Sequence, residues 1–159
     1  MGKFQIHKLV LSLLLTLGTG AVAGIFTGQS VSGWYATLNQ PSFNPPNWVF
    51  GPVWSTLYFL MGVSLYLVWK QKPSGDRTRA IVIFIVQLVL NFLWSFFFFY
   101  FNMIGTALID IILLWVSILT MIVFFFKIRP VAAYLNIPYL LWVSFATVLN
   151  TAYFFLNRS

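Results

Sequence analysis

The chain contains no cysteine, which excludes disulfides, thiolate metal sites and thiol catalysis. Carboxylates and imidazoles are almost as scarce, since Asp76, Asp110 and His7 are the complete set. Hydrolysis by a carboxylate pair or a Ser/His/Asp triad needs several such groups at one place, and so does general acid–base catalysis. These enzyme classes are therefore excluded, and we expect neither a metal site nor a resident cofactor.

Charge of either sign is scarce too: only 7% of the 159 residues are charged, against about 25% in soluble domains, and 60% are hydrophobic. Five apolar stretches each approach the roughly 20 helical residues that cross a hydrocarbon core. They are 9–26, 52–69, 80–101, 106–126 and 132–156. Because little chain remains outside them, we predict one all-α membrane domain over residues 1–159, a bundle of five transmembrane helices with a long loop at 27–51.

The basic residues are divided unequally between the loops. One side of the membrane would carry Lys3, Lys8, Lys70, Lys72, Arg77, Arg79, Lys127 and Arg129, and the other only Arg158. The positive-inside rule then predicts that the N-terminus lies inside and the C-terminus outside, with the loop 27–51 facing outward. This bias accounts for the net charge of +7, so we expect no nucleic-acid partner.

The first apolar stretch has two interpretations. Two lysines, the apolar run 9–17 and the small residues 21–23 are typical of a cleaved secretory signal. Small residues in the same stretch are also typical of a helix that packs closely against another, which favours a retained helix. These small residues are Gly18, Gly20, Ala21, Ala23 and Gly24.

The segment 34–58, WYATLNQPSFNPPNWVFGPVWSTLY, is uncharged and rich in aromatic residues and proline. Proline fixes the backbone and removes amide donors, while each tryptophan offers a large flat face and one polar group. Because proline suits the first position of a helix, we expect the second span to begin at Pro52. The segment predicts a lid over a site for a flat apolar ligand.

Two further spans carry polar and aromatic stripes. Gln87, Asn91, Trp94 and Phe98 share one face of the third span. In the fifth span Pro138 predicts a kink, after which one face carries Tyr139, Trp142, Ala146, Asn150 and Tyr153. Together with Trp54 and Tyr58 of the second span, these stripes predict an outward-facing cavity. Trp54, Trp94 and Trp142 would be its walls, and Tyr35, Asn91 and Asn150 its orienting donors.

Asp110 is the only acidic residue within a span, and it too has two interpretations. An intramembrane carboxylate is by default a hypothesis of a functional site. Alternatively, an acid near the start of a helix is stabilised by the macrodipole and by neighbouring amides. The sequence does not decide between them.

Four motifs support a family resemblance: WYxxLxxPxFxPPxWxFGPVWxxLY at 34–58, QxxxNxxW at 87–94, ALxD at 107–110 and PYLxWxxFATxLN at 138–150. With them the sequence resembles the TspO/MBR family, the translocator protein or peripheral benzodiazepine receptor group. The resemblance implies a five-helix bundle, often dimeric, with an outward cavity beneath the first loop. We expect its location to be a bacterial cell membrane. Its implied ligands are protoporphyrin IX and other tetrapyrroles, sterols, and benzodiazepine or isoquinoline compounds.

The resemblance also assigns residues. It implies ligand-wall positions at Gly24, Tyr35, Pro45, Asn91, Trp94 and Ala146, and a sterol pattern at Leu149, Tyr153 and Arg158. The tryptophans implicated in light-dependent porphyrin degradation match Trp54 and Trp142. Two features depart from the family: the third span lacks small-xxx-small spacing, which leaves Gly20 and Gly24 as an alternative dimer face, and the cavity lacks a cation for porphyrin propionates.

Three functions follow from this reading. The leading hypothesis is a membrane binding protein for porphyrins and similar flat amphipathic ligands. The enzyme alternative is light-dependent degradation of protoporphyrin IX, in which Trp54 and Trp142 would be catalytic. The second alternative is transport of tetrapyrroles or sterols, for which Asp110 would be needed if protons were coupled.

Overall fold

The computed structural model describes residues 5–158, so Lys3 lies outside the described residues. The chain forms α1 (Ile6–Val31), α2 (Trp34–Thr37), α3 (Asn47–Trp69), α4 (Gly75–Ser95) with a π-helical turn (Phe96–Tyr100), α5 (Ile104–Ile128), α6 (Pro130–Tyr134) and α7 (Ile137–Asn157). Within residues 5–158, five segments are long and apolar enough to cross a membrane, the last made of α6 and α7 together. The predicted all-α, five-span membrane protein is confirmed. The side of the membrane on which each terminus lies remains a prediction.

Close helix packing at glycine joins α1 to α3. A Cβ atom at Gly62 would lie 2.7 Å from Thr16 Oγ1, and one at Gly20 would overlap the ring of Tyr58. Both glycines thus allow a neighbouring side chain to approach the backbone, as small residues do between membrane helices. Gly20 is therefore used within the chain and is not a free face for a second copy. Retention of the first helix remains a prediction.

The second span begins before the predicted position. Pro46 ends the loop with extended backbone, and α3 starts at Asn47, so Pro52 lies inside the helix. Expecting Pro52 at the first helical position was wrong. In the second turn its missing N–H costs only the bond to the Trp48 carbonyl, so the helix extends past it. Since α1 also runs on to Val31, the connecting segment is 32–46 rather than 27–51.

The last span is broken before Pro138 instead of kinked at it. α6 ends at Tyr134, and α7 begins at Ile137 with Pro138 in its first turn, where a proline sacrifices no helical bond. Asn136 lies in the break, and its Nδ2 donates to Ser64 Oγ over 2.6 Å and to the Ala132 carbonyl over 2.9 Å. In place of the expected kink, the last span consists of two helices, and the break between them is hydrogen-bonded to α3.

Candidate functional site

A cavity of about 550 Å³ lies between α1, α3 and α4, beside α2. The α1 wall is built largely from residues with small side chains: Gly20, Ala21, Ala23, Gly24, Thr27 and Gly28. The facing walls are mostly aromatic: Tyr35, Phe50, Trp54, Tyr58, Trp94 and Phe99. Its neutral polar residues include Asn47, Ser55 and Ser95, and none of the charged residues between 5 and 158 lines it. We call this space the large cavity.

A second space of about 30 Å³, the small cavity, lies on the other side of the aromatic wall. α7 contributes Trp142, Ala146, Leu149, Asn150 and Tyr153 to it. The two cavities share Tyr35, Phe50, Trp54, Trp94 and Phe99. The predicted cavity is therefore divided, and Trp142 and Ala146 line the small part and not the large one.

The three predicted wall tryptophans differ in how they are held. Trp94 Nε1 donates to Asn150 Oδ1 over 3.0 Å, which fixes the Trp94 ring. The Trp54 ring lies 6.5 Å from that of Trp94 and 5.7 Å from that of Tyr58, centroid to centroid. Among residues 5–158, the indole N–H groups of Trp54 and Trp142 donate no hydrogen bond, whereas those of Trp94 and Trp115 do. Trp54 and Trp142 therefore carry donors that a ligand can use.

Behind the large cavity, a chain of buried hydrogen bonds joins α3, α4 and α7. Tyr58 Oη donates to Asn91 Oδ1. Asn91 Nδ2 donates to Tyr139 Oη over 2.8 Å, and Tyr139 Oη donates to Gln87 Oε1 over 2.8 Å. Asn91 is 1% exposed and lines neither cavity. Its amide oxygen and nitrogen each bond a tyrosine, so Asn91 holds the Tyr58 hydroxyl, and a contact between Asn91 and a ligand remains a prediction.

The other two expected orienting donors are also occupied. Asn150 Oδ1 accepts from Trp94, and Asn150 Nδ2 donates to the Ile104 carbonyl over 3.1 Å. Tyr35 Oη donates to Asn44 Oδ1 over 3.0 Å and accepts from Tyr153 Oη over 2.8 Å. Burial raises the pKa of Tyr35, so its hydroxyl is protonated at neutral pH and can make both bonds.

The π-helical turn explains a wall residue that the sequence reading missed. Phe101 N–H donates to the Phe96 carbonyl, five residues back, over 3.0 Å. The wider turn changes the helical register, and the adjacent residues Phe98 and Phe99 both reach the small cavity. Period 3.6 alone places only Phe98 on the Trp94 stripe. Phe50 and Ser95 were also missed, although Phe50 is in the quoted motif and Ser95 follows Asn91 by one turn.

The remaining candidate residues are dispersed. Pro45 is half-buried in the loop and lines neither cavity. In the sterol pattern, Leu149 and Tyr153 are buried inside the bundle, while the Arg158 guanidinium lies 4.4 Å from the ring of Phe155. The structure does not bring these three side chains to one lipid-facing surface.

Asp110 lies on the buried face of α5 and is 5% exposed. Its Oδ2 atom has no hydrogen-bond partner among residues 5–158. The neighbouring amides that would stabilise an acid near the start of a helix therefore do not bond that oxygen. Asp110 lines neither cavity. Its role remains a prediction.

Comparison with known proteins places this arrangement in a family. Residues 11–156 match the TspO/MBR family. The chain is similar to the tryptophan-rich protein TspO of Archaeoglobus fulgidus, with 44% identity over 96% of this chain and 99% of the relative. It is 43% identical to the Homo sapiens translocator protein over 74% of this chain and 70% of the relative. It is 35% identical to the tryptophan-rich sensory protein of Cereibacter sphaeroides over 89% and 87% of the two chains. The chain therefore belongs to the TspO/MBR family of integral membrane proteins.

Proposed function

We propose that this protein is a membrane receptor for flat amphipathic ligands of the porphyrin class, with protoporphyrin IX as the first candidate. The observation that carries the proposal is the large cavity, which is lined by small α1 residues and by Trp54 and Trp94. Its volume of about 550 Å³ is within the usual range of small-molecule sites, roughly 300–1,000 Å³. A planar ring inserted there would contact aromatic faces on one side and backbone on the other.

Polar contacts would orient such a ligand. The unpaired indole N–H of Trp54 and the hydroxyls of Ser55 and Ser95 are neutral groups at the large cavity, suited to hydrogen-bond acceptors on a ligand. Because no basic residue among residues 5–158 lines the cavity, we expect charged carboxylates on the ligand to lie in water, near the exposed Asn47 at the start of α3. Binding energy would therefore come mainly from stacking and burial of the ring.

Trp142 enters this proposal differently from Trp54. Trp54 lines both cavities, whereas Trp142 lines only the small one of the two, next to Phe50 and Ala146. A ligand in the large cavity would touch Trp54 directly and would reach Trp142 only if the shared aromatic wall moved. Substitution of Trp54 should therefore weaken binding more than substitution of Trp142.

A second candidate is light-dependent degradation of the bound porphyrin. The observation that favours it is the position of Trp54, whose indole donates no hydrogen bond within the described chain and lies beside Trp94 and Tyr58. Oxidative photochemistry needs no acid or base from the protein, since the porphyrin absorbs the light and molecular oxygen is the oxidant. The described lining of the cavity offers aromatic rings and no acid or base, so photochemistry is the one type of catalysis that fits it.

The test is titration of the purified protein with protoporphyrin IX in the dark, followed by tryptophan quenching, and then illumination followed by porphyrin absorbance. Trp54→Phe and Trp142→Phe are compared with Trp115→Phe, a control in which the lost indole N–H bonds Ser144 outside both cavities. Saturable quenching weakened by Trp54→Phe supports the receptor. Bleaching lost in a variant that still binds supports the enzyme. Absence of saturable quenching in the wild type contradicts both.

A further inference from the structure

We propose that Tyr153 and Asn157, one helical turn apart near the end of α7, are positioning residues that latch the segment 32–46 over the large cavity and set the rate of ligand exchange. The inference rests on the proposed receptor function for its ligand, but the latch itself is a property of the loop. It assigns a role to a tyrosine of the sterol pattern that is buried and does not face lipid.

The first contact of the latch pairs a side-chain amide with a backbone peptide. Asn39 N–H donates to Asn157 Oδ1 over 2.8 Å, and Asn157 Nδ2 donates to the Asn39 carbonyl over 3.0 Å. The same Nδ2 donates to the Tyr153 carbonyl over 2.9 Å, which fixes the Asn157 side chain against its own helix. The amide therefore acts like one rung of a β-ladder between the loop and α7.

The second contact lies inside the bundle. Tyr153 Oη donates to Tyr35 Oη over 2.8 Å, and Tyr35 Oη donates in turn to Asn44 Oδ1. Asn44 Nδ2 in turn donates to Gln40 Oε1 over 3.2 Å. Because the Tyr35 ring lines both cavities, this bond connects the position of a cavity wall to the last turns of α7.

The rest of the molecule holds the segment 32–46 less firmly. Within residues 5–158, its long-range hydrogen bonds run to Tyr153, Leu156 and Asn157, all on α7. Its other polar contacts are local turns, such as Gly33 N–H to the Ser30 carbonyl. Towards the π-helical turn it makes ring contacts, such as Trp34 with Phe98, which are less directional than hydrogen bonds. Release of the segment 32–46 from α7 is therefore the step that we expect to uncover the large cavity.

The chain offers a matched pair of variants for a test. Asn157→Ala removes both bonds to the loop. Asn39→Ala keeps them, because they use the Asn39 backbone, and this variant loses only the 3.4 Å contact from the Asn39 side chain to the Leu156 carbonyl. Hydrogen exchange of the loop amides, measured without ligand, should rise in Asn157→Ala and in Tyr153→Phe and stay near wild type in Asn39→Ala. Unchanged loop exchange in Asn157→Ala overturns the latch, whatever the ligand proves to be.

Ligand kinetics then test the link to the cavity. With protoporphyrin IX as the probe and stopped-flow quenching as the readout, Asn157→Ala should raise both the association and the dissociation rate, by roughly threefold to tenfold, with a smaller change in Kd. A lower affinity with an unchanged association rate would instead indicate general loss of structure and overturn the gating role. Wild-type protein that binds no porphyrin contradicts the receptor function and leaves the loop-exchange result as the measure of the latch.

A reversible cross-link completes the test. The chain has no cysteine, so Asn39→Cys with Asn157→Cys introduces a single possible disulfide. Oxidised protein should exchange porphyrin about tenfold more slowly than wild type, and reduction should convert it to the fast behaviour of Asn157→Ala. Equal exchange rates in the oxidised and reduced forms would show that ligand does not pass the lid, which overturns the proposal.

Discussion

Trp94 Nε1 donates to Asn150 Oδ1 over 3.0 Å, and the same asparagine donates to the carbonyl of Ile104 over 3.1 Å. One side chain of α7 thus holds the aromatic wall of α4 and the start of α5 together. Trp54, by contrast, meets Trp94 only through ring contact. The wall between the two cavities has one fixed indole and one that can adjust to a ligand.

The first prediction concerns this bond. Asn150→Leu has similar volume but leaves the Trp94 N–H and the Ile104 carbonyl without this partner, so the free energy of unfolding should fall by about 1–3 kcal/mol. Thermal unfolding in detergent measures the change. Repeating it in a Trp94→Phe background separates the two bonds, because the indole donor is then absent. An equal loss of stability in both backgrounds would mean that the Trp94 bond contributes nothing.

The second prediction uses two glycines of α1 that have open space around them. Gly24 lines the large cavity and Gly18 does not, and a Cβ atom would meet no other atom within 4 Å at either position. Gly24→Val should therefore lower porphyrin affinity by roughly tenfold or more, because the added carbons occupy ligand space, whereas Gly18→Val should bind like the wild type. Both variants should fold. Titration by tryptophan quenching gives the two affinities. Equal affinities would place the ligand outside the large cavity.

The third prediction concerns a glycine that has no space around it. An added Cβ at Gly20 would overlap the Tyr58 ring, which is itself bonded to Asn91. Gly20→Ala should therefore destabilise the protein by about 1–3 kcal/mol through overpacking, while Gly28→Ala, with open space at its Cβ, should be nearly neutral. Thermal unfolding of the two variants checks this. A neutral Gly20→Ala would show that α1 and α3 can separate without cost.

The five spans could be predicted from the sequence because hydrophobic length is a local property that the bilayer constrains strongly. The stripe through Gln87, Asn91 and Trp94 likewise identified a face that packs inside the bundle. The partners of its side chains could not be read from spacing. Asn91 is predicted to orient a ligand, but its bonds to two tyrosines from other helices depend on tertiary packing, which spacing along one helix does not reveal.

The differences in register have local backbone causes. Pro52 was expected to begin a helix, but the helix tolerates it in the second turn, where one lost bond is cheap. The π-helical turn inserts an extra residue into the ladder, and no residue type in the run Phe96–Tyr100 announces it. Phe50, which lies in the helical turns before Pro52, and Phe99 of the π-helical turn both belong to the wall that the two cavities share.

The fourth prediction concerns orientation. The loops that contain Ser42 and Pro73 lie at opposite ends of α3, and both residues are exposed. Because the basic residues favour the Pro73 side as the inner one, Ser42→Cys should react with a membrane-impermeant thiol reagent on intact cells, and Pro73→Cys only after lysis. The absence of native cysteine keeps the labelling specific. The reverse pattern would place the large cavity on the inner side.

The fifth prediction concerns the buried hydrogen-bond chain. Tyr139→Phe removes the acceptor of Asn91 Nδ2 and the donor to Gln87 Oε1, which leaves one buried N–H donor and one buried oxygen acceptor without these partners. The free energy of unfolding should fall by about 1–3 kcal/mol, towards the lower end if the membrane-inserted unfolded state also finds partners for those amides. Tyr134→Phe is the matched control, since Tyr134 is 60% exposed.

Porphyrin affinity should fall as well in Tyr139→Phe, because Asn91 then loses its fixed orientation and no longer holds Tyr58 in the cavity wall. Stability and affinity that both match the control would mean that Tyr58 is positioned by ring packing against Gly20 and Trp54 and not by the chain behind it.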